Sequence, residues 1–213
     1  SFLNGYSKKN LNPDDCHKVG IQAAKLHLIT KNLTGKRENK LSVNSWRKIY
    51  KKVQKDCSRI HLNLTKTIEK NLDEIENNWP KNIPSGIIHA DLFPDNIFFK
   101  NNKLTGIIDF YFSCNDFYAY DFAITTNAWC FDNKESFKKE NFDSFLKGYQ
   151  QHVNISNDEK NHFNTLLRGA AMRILVTRLH DQLYHPDGAM VVPKDPFEFF
   201  NILKWHQNNS IFD

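Results

Sequence analysis

Residues 87–110 read IIHADLFPDNIFFKNNKLTGIIDF, and this stretch decides the fold of the chain. Two short runs rich in β-branched and aromatic residues, 97–99 and 104–110, are joined by the polar sequence KNNK, a connection of hairpin length. The run at 87–89 has the same apolar character. The sequence therefore predicts a small β-hairpin, with residues 89–96 forming the loop that leads into it.

Three oxygen-bearing side chains flank this hairpin. Asp91 and Asn96 are five residues apart, the spacing of the H-x-D-x-x-x-x-N catalytic loop of kinases, and Asp109 follows the second strand. Phosphoryl transfer requires a carboxylate that orients the attacking hydroxyl and hard oxygen ligands that hold Mg²⁺ against phosphates. An antiparallel return brings Asn96 and Asp109 to one end of the ribbon. We therefore predict Asp91 as the catalytic residue and Asn96 and Asp109 as Mg²⁺ ligands.

Each of these residues also has an ordinary structural explanation. Asp and Asn next to a strand often belong to a turn, and Asp109 alone could cap a strand end. The coincidence of three residue types at set spacings around one hairpin favours the catalytic interpretation. Asp95 is predicted to be a turn former, and His89 a structural hydrogen-bonding residue rather than a base.

Helical patterns surround the hairpin. An Asn12 cap followed by Pro13 and apolar residues at helical spacing predicts a helix over 13–30. A second helical pattern runs from 46 to 79 and is stopped by Pro80. Helices are also expected near residues 118–130, 135–151, 157–184 and 196–208. We predict one domain over residues 1–213, of the α+β class and mainly α.

Composition and charge exclude several classes of protein. The 213 residues include 29 Lys+Arg and 24 Asp+Glu, and the basic residues are scattered, which disfavours a nucleic-acid-binding protein. No stretch approaches the roughly 18 apolar residues of a membrane-spanning helix, so no membrane association is expected. The four cysteines lack C-x-x-C spacing and no signal peptide is visible. We expect reduced thiols and a cytoplasmic protein.

Six segments match the pattern of one family: SFLNG, VGIQAAKLHL, IIHADLFPDNIFF, GIIDFYFSCNDFYAYDFAITTNAWCFD, RGAAMRILVTRLHD and PKDPFEFFNILKWH. Over nearly its whole length the chain resembles the aminoglycoside phosphotransferase and choline kinase family, and within it the bacterial homoserine kinases of the protein-kinase-like type. The resemblance implies the C-terminal lobe of a protein-kinase-like fold. It implies transfer of the γ-phosphoryl group of ATP to the hydroxyl of L-homoserine, a step of threonine biosynthesis, with Mg²⁺ as cofactor.

Full-length members of that family begin with a β-sheet lobe that carries a phosphate-covering glycine loop and a nucleotide-contacting lysine. The eight glycines of this chain never form G-x-G-x-x-G, so we expect that lobe to be absent from it and the chain alone to show little activity. Residues 1–5 resemble the hinge that follows the lobe, which places Phe2 and Leu3 against the adenine of ATP. The resemblance also implies that Asp121 braces the catalytic loop, with a plain helix cap as the alternative.

A homoserine site needs a cation for the carboxylate and an acid or a carbonyl for the ammonium. Arg173, Arg178 and Asp181, on the predicted 157–184 helix, are the predicted substrate-binding residues. Arg178 and Asp181 could instead form an ordinary pair on the helix surface. Arg37 is a further candidate for the carboxylate. Tyr111 is predicted to line the acceptor pocket, with a place in the core as the alternative.

Other functions remain open. One is a kinase for another small alcohol, such as choline or an aminosugar, and another is a non-catalytic binding module derived from a kinase lobe. A metal-dependent hydrolase that uses His89 and Asp91 would need several more His and carboxylate ligands, and the other histidines are scattered. The oligomeric state is not predicted.

Overall fold

The computed structural model describes residues 3–132, 136–185 and 192–212. In these ranges seven α-helices and four short strands follow one another: α1 (Pro13–Thr30), α2 (Val43–Ile60), α3 (Leu64–Asn78), β1 (Ser85–Ile88), β2 (Ile97–Lys100), β3 (Lys103–Ile107), β4 (Cys114–Phe117), α4 (Tyr118–Trp129), α5 (Lys139–Tyr149), α6 (Asn157–Leu183) and α7 (Phe197–Asn208). The predicted α+β class, mainly α, is confirmed.

The chain divides into two compact units. The first comprises the chain up to Asn39 together with Asn82–Phe163, and the second comprises Lys40–Lys81 together with the chain from Asn164 onward. The four strands, α1, α4 and α5 belong to the first unit, whereas α2, α3, α7 and most of α6 belong to the second. The organisation of residues 1–213 as one domain stays a prediction.

The first unit is built on a close contact between α1 and α5. The Asn12 side chain accepts the Asp15 N–H and Pro13 occupies the first turn, so α1 begins where the sequence predicts. A Cβ atom added to Gly148 on α5 would lie 2.1 Å from the His17 carbonyl oxygen on α1. Only glycine allows the two helix backbones to approach so closely.

The predicted hairpin is formed by β2 and β3. Ile97 pairs with Ile107 and Lys100 with Lys103, and the turn between the strands consists of Asn101 and Asn102 at φ of 49° and 58°. Asparagine tolerates this left-handed conformation and favours two-residue hairpin turns. Near the start of the chain, Tyr6 exchanges two backbone hydrogen bonds with Phe99, which extends this pairing by one bridge.

Behind the strands, α4 carries the aromatic core of the first unit. Phe122 stacks on Phe145 at a centroid distance of 4.5 Å and contacts Tyr149 and Phe163 edge-on or tilted. Every residue of α4 except Ala128 is buried. Polar groups on this helix therefore require hydrogen-bonding partners inside the protein.

The second unit packs aromatic residues between its helices. Trp46 and Trp79 lie edge to face at a centroid distance of 5.2 Å, and Gly169 of α6 lies against the Trp79 ring. Arg168 donates from Nε to Asn71 Oδ1 on α3 at 3.1 Å. These contacts join α6 to α3 through both packing and hydrogen bonding.

Two expectations about secondary structure were wrong. The helical pattern from 46 to 79 is broken at residues 61–63, where His61 takes an extended conformation and its Nδ1 accepts the Asn63 N–H at 3.2 Å. Only helices were expected after Phe110, the first near 118–130, but β4 precedes that helix and pairs antiparallel with β1, Ser85 opposite Phe117 and Ile88 opposite Cys114. Pairing with a distant strand is not encoded in the local pattern.

Candidate active site

The hairpin brings Asn96 and Asp109 to the same end of the ribbon. Asn96 immediately precedes β2, and its carbonyl oxygen accepts the Ile108 N–H at 3.0 Å. Asp109 is the next residue along the chain. The convergence predicted from the hairpin pattern is therefore what the backbone shows.

Asp91 and Asn96 are joined directly. The Asn96 Nδ2 atom donates to the Asp91 carbonyl oxygen at 2.8 Å and to the Asp91 carboxylate at 3.1 Å. Because the amide nitrogen faces Asp91, the Asn96 Oδ1 atom is the one that could ligate a cation. Asn96 is buried and Asp91 is half-buried, so the pair is ordered and still reachable from solvent.

Asp109 is exposed and has a left-handed backbone, with φ of 60° and ψ of 61°. Aspartate is one of the few residues other than glycine that adopts this region at modest cost. Its carboxylate accepts the Tyr111 N–H at 3.4 Å and starts a short 3₁₀ turn, Phe110–Phe112. The turn redirects the chain from β3 towards β4 at this residue.

The loop before the hairpin is hydrogen-bonded to Asp121 on α4. Ala90 has a left-handed φ of 62°, which costs a residue with a Cβ atom about 1–2 kcal/mol. The Asp121 carboxylate accepts the Ala90 N–H at 2.7 Å and the His89 N–H at 3.1 Å. These two hydrogen bonds stabilise the strained conformation directly before Asp91.

Asp121 is fully buried, and its carboxylate is hydrogen-bonded to His27 on α1. The His27 Nε2 atom lies 2.9 Å from Asp121 Oδ2, and its Nδ1 atom lies 2.8 Å from the Tyr149 hydroxyl. Burial acts to raise the pKa of the Asp121 carboxyl, but His27, the nearby His89 and the Ala90 N–H outweigh burial and lower that pKa below its ordinary value. Burial raises the pKa of the Tyr149 hydroxyl, which keeps that group protonated.

His89 contacts two backbone groups through its ring nitrogens, and its structural role stays a prediction. Its Nε2 atom lies 3.0 Å from the Ile108 carbonyl oxygen, and its Nδ1 atom lies 3.2 Å from the Asp91 N–H. A carbonyl can only accept and an N–H can only donate, so the ring carries its proton on Nε2. His89 thereby connects the loop to the end of the hairpin.

Two further supporting residues were missed or left open by sequence reasoning. The Trp129 Nε1–H donates to the Leu92 carbonyl oxygen at 2.8 Å, so this buried tryptophan supports the loop from α4. Sequence analysis assigned no role to His27, although its position four residues after Ala23 places it on the buried face of α1. A histidine on an apolar helix face was the available signal.

The predicted nucleotide and acceptor residues are spread over the chain. Phe2 lies outside the described residues. Leu3 is 44% exposed and lies against Gly106 of β3, on the hairpin itself. Tyr111 is 70% exposed, so it does not belong to the core.

The remaining predicted acceptor residues, Arg173, Arg178 and Asp181, lie on the part of α6 that belongs to the second unit. Arg178 Nη1 lies 2.6 Å from Glu198 and 2.8 Å from the Asp195 carbonyl oxygen, so it joins α6 to the start of α7. Arg173 is buried and Asp181 is exposed.

The residues around Asp91 fit a magnesium nucleotide better than a metal held by protein alone. Among the residues that the structure describes, no three His, Cys, Asp or Glu side chains are grouped so that they could hold a metal ion. Mg²⁺ with a nucleotide needs only one or two protein oxygens, because phosphates and water complete its shell. The Asn96 amide oxygen and the exposed Asp109 carboxylate meet that requirement.

None of the described helices is both long and apolar enough to cross a bilayer.

Comparison with known proteins agrees with this geometry. Residues 6–152 match the model of the phosphotransferase enzyme family. A homoserine kinase from Nitrobacter hamburgensis is 43% identical over 207 residues, which cover 97% of this chain and 64% of that protein. A homoserine kinase from Rhodopseudomonas palustris is 44% identical over 208 residues, covering 98% of this chain and 64% of that protein. The chain thus spans about 64% of the length of these curated relatives.

Solved structures show the same fold. An ethanolamine kinase from Plasmodium vivax superimposes with a TM-score of 0.67 at 18% identity, covering 97% of this chain and 63% of that one. The kinase-like fold predicted from the sequence is therefore confirmed, and so is the resemblance carried by the loop and hairpin. The chain belongs to the phosphotransferase enzyme family.

Proposed function

We propose that the protein containing this chain transfers the γ-phosphoryl group of ATP to the side-chain hydroxyl of L-homoserine, in threonine biosynthesis. The observation that supports the proposal is the grouping of Asp91, Asn96 and Asp109 around one hairpin, in which Asn96 is hydrogen-bonded to Asp91 and to the backbone directly before Asp109. The curated relatives, named homoserine kinases, support the choice of acceptor.

In this mechanism Asp91 orients the acceptor hydroxyl and takes its proton. The hydroxyl oxygen forms a bond to the γ-phosphorus as the bond from that phosphorus to the departing ADP oxygen breaks. Asn96 Oδ1 and the Asp109 carboxylate would hold Mg²⁺, which supplies charge neutralisation at the phosphates when it is bound. Asp121 and His27 act through the backbone at residues 89–90, where they keep Asp91 in position.

The nucleotide and acceptor contacts are part of the same proposal. Phe2 and Leu3 would lie against adenine, and the exposure of Leu3 on the hairpin surface supports its accessibility. Tyr111, exposed two residues after Asp109, would face the acceptor. The assignment of Arg173, Arg178 and Asp181 to the acceptor stays a prediction.

The four free and buried cysteines support a cytoplasmic location, where thiols stay reduced.

The test is a coupled assay of ADP release by the purified full-length protein with L-homoserine, choline and an aminoglycoside as acceptors. Asp91→Asn should lower kcat by about 10²–10⁴-fold, the usual contribution of a positioned general base, with little change in the KM for ATP. Asp95→Asn, in the same loop and exposed, is the matched control and should keep most of the activity. A wild-type enzyme without homoserine-dependent ADP release, or an Asp91→Asn variant with normal kcat, would refute the proposal.

One observation favours a second candidate, a kinase for a cationic amino alcohol such as choline. Phe110, Tyr111 and Phe112 are 47%, 70% and 36% exposed beside Asp109, and aromatic faces bind quaternary ammonium groups. A higher kcat/KM for choline than for homoserine in the same assay would select this function.

A further inference from the structure

We propose that Arg37 binds the carboxylate of the acceptor and thereby selects an amino acid over an amino alcohol. This inference rests on the proposed function, since it names the residue that recognises the acceptor at the same site. Arg37 belongs to the first unit, as do Asp91, Asn96 and Asp109. It is exposed, so a small molecule can reach its guanidinium.

The backbone of Arg37 is fixed although its side chain is exposed. Its N–H donates to Asn115 Oδ1 at 2.7 Å, and the Asn115 N–H donates to the Arg37 carbonyl oxygen at 2.8 Å. Two residues later, Asn39 Nδ2 donates to Asp116 Oδ2 at 2.6 Å. These bonds attach the segment to β4, so a ligand that binds Arg37 does not have to order a free loop.

The guanidinium of Arg37 lies beside the turn that begins at Asp109. Its Cζ atom is 5.8 Å from the centroid of the Tyr111 ring, within the range of a cation–π contact. The Tyr111 N–H in turn donates to the Asp109 carboxylate at 3.4 Å. Tyr111 therefore contacts both Arg37, through its ring, and the predicted metal ligand Asp109, through its N–H.

Arg37 also differs from other arginines in its electrostatic partners. Four of these each lie within 4.0 Å of a carboxylate oxygen: Arg47, Arg59, Arg168 and Arg178. Among the described residues, no carboxylate lies at ion-pair distance from the Arg37 guanidinium. A planar guanidinium that has no protein carboxylate to bind fits a ligand carboxylate through two parallel hydrogen bonds.

The experiment compares L-homoserine with 3-aminopropan-1-ol, which has the same amine and hydroxyl but no carboxylate. In the full-length protein, Arg37→Ala should raise the KM for homoserine by about 10–100-fold, as expected for the loss of a hydrogen-bonded charge pair. Its kcat/KM for 3-aminopropan-1-ol should stay within about twofold of the wild-type value. Arg37→Lys keeps the charge but cannot form two parallel hydrogen bonds to a carboxylate, so its KM for homoserine should lie between those of the wild type and the alanine variant.

Lys36→Ala is the matched control, because it removes a neighbouring exposed cation from the same segment. It should leave the kcat/KM values for both acceptors unchanged. Thermal melting of each variant confirms folding. Suppose that the wild type has a higher kcat/KM for homoserine than for 3-aminopropan-1-ol. If Arg37→Ala keeps the same ratio of the two kcat/KM values, whether or not both values fall, the role of Arg37 is refuted while the proposed function stands. If the kcat/KM of the wild type for homoserine is no higher than for 3-aminopropan-1-ol, both the role of Arg37 and the proposed function are refuted.

Discussion

Replacing Asp121 with asparagine tests how the catalytic loop is supported. The side chain keeps its shape, and its oxygen can still accept the Ala90 N–H that now lies 2.7 Å from Oδ1. In the wild type, Asp121 Oδ2 lies 3.1 Å from the His89 nitrogen and 2.9 Å from His27 Nε2. In the variant the amide nitrogen, which can only donate, takes the place of Oδ2. His27 can move its proton to Nδ1 and accept from the amide, because the Tyr149 hydroxyl can accept in its turn. The His89 N–H has no such alternative.

The loss of stability in Asp121→Asn follows from the number of hydrogen bonds that are broken or weakened. One buried backbone N–H without an acceptor costs about 1–3 kcal/mol, and the other two bonds lose the charge that strengthened them. We expect Asp121→Asn to lower the free energy of unfolding by about 2–4 kcal/mol. The strained backbone at Ala90 would also relax and displace Asp91, and a displacement of about 1 Å lowers kcat by about 10²-fold.

The assay is urea unfolding of the full-length protein as a function of pH. The pKa of Asp121 is lowered in the folded state, so the stability from its carboxylate is complete above the unfolded pKa of about 3.9. That stability is lost as the pH falls through the folded pKa, and the difference between wild type and variant should shrink below pH 4. Asp143→Asn, whose partner is the exposed Lys139, is the control and should cost less than about 1 kcal/mol. If Asp121→Asn is no more destabilising than this control, the support by Asp121 is refuted.

Three further outcomes are expected. Asp109→Ala in the full-length protein should abolish binding of Mg²⁺-ATP, measured by calorimetry, and unchanged binding would exclude it as a metal ligand. Burial of His206 lowers its pKa to about 3, so the unfolded state takes up a proton first and stability should fall as pH decreases from about 6.5 towards 3; His206→Asn should flatten that profile in urea unfolding. Gly148→Ala should lower the free energy of unfolding by at least about 1–3 kcal/mol because its Cβ would meet the α1 backbone 2.1 Å away. Gly35→Ala, whose nearest contact would be at 4.0 Å, should leave unfolding nearly unchanged, and equal losses would refute the close packing.

Local patterns predicted the elements whose signals are complete within a few residues. The Asn12-Pro13 start placed α1 over 13–30, and the KNNK turn between apolar runs located the hairpin. The helix break at residues 61–63 was not predicted, because apolar spacing continues through it and the break depends on a bond between neighbouring polar groups. The network of His27, Asp121 and the loop was predicted only in part, since Asp121 alone lies in a motif.

The sequence by itself determined which side chains are predicted to carry the chemistry, because Asp91, Asn96 and Asp109 stand at fixed spacings around a hairpin that closes through adjacent residues. Tertiary structure alone decided what holds that hairpin and what surrounds it. His27 is 94 residues from Asp121 and Arg37 is 78 residues from Asn115, and such pairs meet only when the chain has packed. Side-chain spacing records faces and turns, whereas contacts between distant segments depend on how those faces bury one another.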